Sequence, residues 1–187
     1  MNPLFQAGLE LQLFIQQRCW PFCFIGGLSV IRWGEARMTQ DIDLSVFSGF
    51  GSEESFVDAL LDSFASRIPD AKKFALNNRV LLLAASNGVA VDVSLGGLPF
   101  EEQMAKRASP YEFAHDCSLI TCSAEDLIIL KAFAERPQDW IDVEGIIMRH
   151  GPKLDAPYIL DQLTPLCDIK EAPEIIPRLQ DLIRKNS

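Results

Sequence analysis

The chain has 187 residues, 48% of them hydrophobic, with a formal net charge of −9 and a pI near 4.7. That length and apolar content support one sizeable core with room for a small appendix. The acidic balance opposes non-specific nucleic-acid binding, which needs a cationic surface, and no apolar run reaches the roughly 20 residues needed to cross a bilayer. Residues 1–13 lack the basic start and small-residue cleavage site of a secretion signal, so a cytoplasmic location is expected. The five cysteines are odd in number and lack C-x-x-C spacing, and His115 and His150 complete no zinc pattern. Buried free thiols are the expectation.

In chain order, residues 3–18 carry Leu4, Phe5, Leu9, Leu11, Leu13 and Phe14 at mostly helical spacing, ended by Pro21. A short buried strand is predicted at 22–25, a turn at Gly26-Gly27, and a helix over 28–33 stopped by Gly34. Residues 41–47 read as a strand and 48–52 as a loop. An amphipathic helix is expected over 53–68, broken by Pro69-Asp70. Strands are expected at 74–76 and 79–85 around a turn at Asn77-Asn78, and Asn87-Gly88 signals a hairpin into a further strand at 89–95. Gly96-Gly97 closes that strand. A helix follows over 99–108, then an irregular or strand-like stretch over 111–121. From Ser123 onward helical patterns dominate, at 124–135, 138–149, 156–167 and 173–185. The division expected is a mixed α/β domain, 1–122, and a helical C-terminal subdomain, 123–187.

Two strands carry the chemistry. In Asp41-Ile42-Asp43-Leu44, alternation puts Asp41 and Asp43 on one face, about 6.5–7 Å apart, with Ile42, Leu44 and Val46 on the other. The pair alone also suits a solvated strand face or a turn. In the strand at 89–95, Val89, Val91, Val93 and Leu95 share one face and Ala90, Asp92 and Ser94 the other. A carboxylate among valines is costly unless paired or ligated. Together Asp41, Asp43 and Asp92 make an all-oxygen set suited to a hard cation such as Mg²⁺. Gly26-Gly27 lies between strand and helix start, where glycine permits positive φ and close backbone approach. The amides that follow, with Ser29, would form an anion site.

Gly26-Gly27, thirteen further residues, Asp41-x-Asp43 and a later Asp92 resemble the nucleotidyltransferase superfamily, the DNA polymerase β-like fold. The run Arg37-x-Thr39-x-Asp41-Ile42-Asp43-Leu44 is similar to its branch of AbiEii-type nucleotidyltransferase toxins. The resemblance covers residues 22–95 and extends more loosely to about 147. It implies an α/β (α+β) fold, with a short mixed sheet flanked by helices and a helical C-terminal subdomain. It also implies NMP transfer from an NTP, with pyrophosphate released. Asp41, Asp43 and Asp92 would hold two Mg²⁺ ions, with Mn²⁺ as the alternative, and Asp92 would help activate the acceptor hydroxyl. Gly26, Gly27 and Ser29 would cradle the β- and γ-phosphates.

Arg37 would contact phosphate or be a surface arginine, and Thr39 would support the loop before the strand. Lys131, in an otherwise apolar helix, would face phosphates or snorkel. Asp142, three residues after Asp139, would orient Lys131 by a salt bridge. Arg136 could supply the arginine found in related chains, but Pro137 and Gln138 disturb its spacing. Ser123 with Asp126 reads as a helix-capping pair, and Trp33 and Trp140 as packing residues. The acceptor implied is a tRNA end or a protein hydroxyl, with an antitoxin as partner and no membrane. Two alternatives stay open: a small antibiotic-type acceptor, or a non-catalytic module that binds nucleotide or a partner chain.

Overall fold

The computed structural model describes residues 2–186. Chain contacts divide it into two compact units. The first comprises the residues up to Leu28 and Met38–Cys122; the second comprises Ser29–Arg37 and the residues from Ser123 on. Among the described residues no helix is long and apolar enough to cross a membrane.

The first unit is built on a seven-stranded mixed sheet. Its strands are β1 (Phe22–Phe24), β2 (Asp41–Phe47), β3 (Ala65–Ser66), β4 (Val80–Ala84), β5 (Ala90–Gly96), β6 (Ser109–Ala114) and β7 (Cys117–Thr121), in the spatial order β3-β4-β5-β2-β1-β7-β6. β2 runs parallel to β5 and antiparallel to β1, so the two strands with the predicted acids are neighbours at the centre. β4 and β5 form the hairpin signalled by Asn87-Gly88, with Gly88 at φ +83°.

Helix α1 (Pro3–Gln16) starts with the Asn2 side chain accepting from the Leu4 amide at 2.9 Å. Its Leu4, Ala7, Leu11 and Ile15 enter the same core as Ile42, Leu44, Val46, Leu81, Leu83, Val91 and Val93. Each of the larger side chains there contributes about 1.5–3 kcal/mol by leaving water. Gln12 ties α1 to β7, donating to the Ser118 carbonyl at 3.0 Å and accepting from the Ile120 amide at 2.8 Å.

The stretch after β2 departs from expectation. The helix predicted over 53–68 is α3 (Glu53–Leu61) alone, and the chain then turns into edge strand β3. Phe64 sinks into the core, and Ala65 and Ser66 gain sheet partners on β4 that a longer helix would deny them. Residues 74–76 are not a strand but lie within helix α4 (Ala71–Asn78). Ala71 and Ala75, four apart, are the buried positions, whereas Phe74 and Leu76 keep more than a third of their surface exposed. An apolar triplet read as a strand is thus one turn of a helix, with Ala75 facing the core and its two larger neighbours to either side. α5 (Pro99–Arg107) packs on β1 and β2, and β6–β7 resolve the stretch read as irregular or strand-like into a hairpin.

Helix α2 (Gly26–Trp33) carries the chain from the first unit into the second. In the second unit, α6 (Ala124–Ala134), α7 (Pro137–His150), α8 (Ala156–Lys170) and α9 (Ile175–Lys185) pack through Ile128, Val143, Ile146, Leu163 and Leu179, among others. The Ser123 hydroxyl accepts from the Asp126 amide at 3.1 Å and so caps α6, while Asp126 also accepts from Tyr158 at 2.7 Å. Trp140 is buried under the Arg178 guanidinium at 4.0 Å. All five cysteines are free; four are buried, but Cys19 is exposed. It sits at φ +54° in the turn after α1, outside the sheet.

Candidate active site

Burial sets the direction of the acids. Ile42, Leu44 and Val46 have no exposed surface, which turns Asp41 and Asp43 to the opposite face of β2. On β5, buried Val91, Val93 and Leu95 do the same for Asp92. The register places Asp43 directly opposite Asp92 and Asp41 opposite Ala90. With strands about 4.8 Å apart, Asp43 and Asp92 stand side by side, and Asp41 lies one step along the same face.

The glycines press against this row. The Ile25 amide donates to the Asp43 carbonyl at 2.9 Å, so the chain enters Gly26 beside Asp43. Gly26 has φ +57°, and a Cβ there would lie 1.8 Å from Asp43 Oδ2. A Cβ on Gly27 would lie 2.3 Å from Thr39 Oγ1. Neither site has room for a side chain. α2 begins on these residues, and its first amides lack intrahelical acceptors. Thr39 donates to Asp41 Oδ1 at 3.0 Å. Ser29 is fully buried. Gln40, Asp41 and residues 87–90 of the β4–β5 hairpin line an open, polar cavity of about 520 Å³.

The donor set is oxygen throughout, the chemistry that Mg²⁺ and Mn²⁺ prefer. Among the described residues no three His, Cys, Asp or Glu side chains converge into a metal-holding group. Asp92 is instead engaged by the Arg67 guanidinium. The register sets these carboxylates side by side as oxygen donors of the kind a hard cation takes, and Arg67 holds Asp92. Arg67 was not predicted. Its signal was hidden by reading residues 53–68 as one helix, since only the strand pairing of 65–66 aligns it with Asp92.

Arg37, Lys131 and Asp142 lie in the second unit and meet there. Arg37 forks onto Asp142, with Nε at 3.3 Å from Oδ1 and Nη2 at 3.2 Å from Oδ2. Lys131 does not snorkel. Its Nζ is nearly buried, 2.7 Å from Asp142 and 2.9 Å from Asp139. Arg136 Nε reaches Asp139 at 2.8 Å, and Gln138 donates to Asp142 at 3.3 Å. Three cations face two carboxylates, leaving one surplus positive charge. Burial alone would raise the Asp142 carboxyl, but hydrogen bonds and charge from Lys131 and Arg37 outweigh it and hold the group below the ordinary carboxylate range.

The fold is shared with solved structures at low identity. An antigenic nucleotidyltransferase-like protein from Paracoccidioides brasiliensis aligns at TM-score 0.55 and 13% identity, covering 98% of this chain and 93% of that one. The antibiotic-resistance factor ANT(2'')-Ia aligns at TM-score 0.53 and 17% identity, over 91% and 94% of the two chains. The lincosamide antibiotic adenylyltransferase LnuA, with lincomycin bound, aligns at 0.50 and 12%, over 75% and 94%. No curated protein matches the chain by sequence. The family model for the nucleotidyl transferase AbiEii toxin of type IV toxin–antitoxin systems matches residues 19–163. With the acidic strands, the glycine turn and this match in agreement, the chain belongs to the AbiEii nucleotidyltransferase family and is a nucleotidyltransferase.

Proposed function

We propose that this enzyme transfers a nucleoside monophosphate from an NTP to a hydroxyl of a macromolecular acceptor, a tRNA end or a protein, as the toxin of a toxin–antitoxin pair. The observation that carries the reading is the register of β2 and β5, which sets Asp43 against Asp92 with Asp41 on the same face and Gly26 packed beneath. The acceptor oxygen attacks the α-phosphorus, the bond from that phosphorus to the bridging oxygen breaks, and pyrophosphate leaves. Asp92 helps take the proton from the attacking hydroxyl. Gly26 and Gly27 offer backbone amides to the β- and γ-phosphates at the start of α2. Bound to Asp41, Asp43 and Asp92, Mg²⁺ would neutralise phosphate charge and polarise the reacting phosphorus. Thr39 orients Asp41. The surplus charge of the Arg37–Lys131–Arg136 network supports phosphate binding by Lys131 and Arg37, with Asp142 holding both in place. Ser29, fully buried in the first turns of α2, lies beside Gly26 and Gly27 in the chain. The setting is cytoplasmic, with an antitoxin as partner.

The test is label transfer from each α-labelled NTP with Mg²⁺ to total RNA, to total protein, and to a lincosamide antibiotic. Label in RNA or protein, lost in Asp43→Asn, supports the reading. Label in the small molecule alone replaces it with an antibiotic-type activity, as the names of LnuA and ANT(2'')-Ia would suggest. Nucleotide binding with no transfer to any of these acceptors makes the chain a binding module.

A further inference from the structure

The Arg67 backbone continues the β3–β4 pairing one residue beyond β3. Ser66 pairs with Leu83, and the Arg67 amide donates to the Leu82 carbonyl at 3.0 Å. Leu82 is opposite Asp92, and Asp92 is opposite Asp43. Arg67, Leu82, Asp92 and Asp43 therefore occupy one row across four strands. Residues in a row project from the same face. Arg67 is thus held about 10 Å from Asp92 at the backbone, two strand spacings away, and its guanidinium spans Leu82 to meet Asp92 Oδ1. Asp43 lies one strand further. The acid row has a cation built in at its outer end, and that cation is engaged with the carboxylate nearest it. Both side chains keep about a third of their surface exposed, so the pair can open without unpacking the core.

We propose that Arg67 is a positioning residue that competes with the divalent cation for Asp92; the proposal rests on the reading of Asp41, Asp43 and Asp92 as cation ligands. The guanidinium draws the Asp92 carboxylate towards β3, and its positive charge opposes a divalent cation arriving at the same carboxylate. Without the cation, Arg67 neutralises Asp92 and holds it turned towards β3. When the cation arrives, Arg67 must swing away and Asp92 must turn towards Asp43. Arg67 thereby sets the cation concentration at which the site fills, and it keeps the acid row from carrying its full charge in the empty enzyme.

The experiment titrates Mn²⁺ into the full-length, nucleotide-free protein and follows free Mn²⁺ by its aqueous paramagnetic resonance signal. Wild type is compared with Arg67→Gln, Arg67→Lys and Asp92→Asn, each checked for fold by circular dichroism. Arg67→Gln is expected to half-saturate at about two- to fivefold lower Mn²⁺, the range set by a partly exposed ion pair. Arg67→Lys, which keeps the charge, should stay within about twofold of wild type. An Arg67→Gln protein that binds Mn²⁺ no more tightly than wild type overturns the competition. Asp92→Asn separates the two levels. If it binds Mn²⁺ as wild type does, Asp92 is not a ligand and the cation reading falls, taking the inference with it. Weakened binding in Asp92→Asn, with unchanged binding in Arg67→Gln, removes the inference alone.

Discussion

The two units use the same residue type in opposite ways. In the sheet, Asp41, Asp43 and Asp92 are aligned by strand register and keep part of their surface open, and a partly exposed arginine engages Asp92. In the helices, Asp139 and Asp142 are buried and enclosed by Lys131, Arg37 and Arg136. Carboxylates side by side on a sheet face repel one another and invite a cation from solution. Carboxylates enclosed by fixed cations are already neutralised, so their work is to hold those cations. An Asp on a strand face and an Asp on a helix are alike in composition, and the second group each one meets decides its use.

Substitution should break the comparison most sharply in the sheet. Asp41→Asn, Asp43→Asn and Asp92→Asn are each expected to lower NMP transfer by about three orders of magnitude or more, the scale seen when a group acting in the transition state is removed. The thermal midpoint of Asp43→Asn should equal or exceed that of wild type, because it removes one of two like charges in register, whereas Asp92→Asn also gives up the partly exposed Arg67 pair and should change stability by no more than about 1 kcal/mol. Turnover near the wild-type rate in all three would remove the acids from the chemistry.

Asp142→Ala should behave in the reverse manner. It strands Arg37 and leaves the nearly buried Lys131 with Asp139 alone. Breaking a buried ion pair from one side costs about 3 kcal/mol or more, read as a lower urea midpoint at unchanged slope. If Asp142→Ala unfolds at the wild-type midpoint, the network contributes nothing to the fold.

The sequence showed the sheet site more plainly than its surroundings. Alternation over a strand is local, so the faces of Asp41, Asp43 and Asp92 could be read from Ile42, Leu44, Val91 and Val93 alone. The glycine turn was legible for the same reason. What lay outside was anything fixed by pairing between distant segments. The end of α3 at Leu61 depends on β3 finding β4, and with it goes the placement of Arg67. The helical reading of residues 71–78 depends on which alanines the core accepts, and the three-residue run Phe74-Ala75-Leu76 cannot reveal that. The Lys131–Asp142 ion pair could be anticipated from the family resemblance, whereas the fork from Arg37 spans more than a hundred residues of chain.

A smaller effect tests the glycine turn. Gly26→Ala puts a Cβ into the Asp43 carboxylate and holds alanine at φ +57°. The left-handed backbone alone costs about 1–2 kcal/mol. Gly27→Ala meets Thr39 at ordinary φ, so it carries the clash without the backbone term. Both should lower the unfolding midpoint, Gly26→Ala by more. Equal midpoints for the two variants would show that Thr39 resists displacement as strongly as the turn resists strain.

The subtlest difference is in pH. Asp142 has its carboxyl held below the ordinary range in the folded chain, despite burial, by Lys131 and Arg37. An unfolded aspartate titrates near about 3.9. A depressed carboxyl lends stability that is fully present above that value and is lost as pH falls through the lower, folded one. Wild type should therefore lose unfolding free energy on acidification below about pH 4, where the unfolded state takes up the proton first. Asp142→Asn removes the titrating group, so its stability should decline less steeply over the same interval, from a lower starting value. Parallel urea titrations at pH 5, 4 and 3 compare the slopes. Equal slopes would mean that Lys131 and Arg37 do not hold Asp142 ionised, and the contrast between neutralised helix acids and open sheet acids would lose its electrostatic basis.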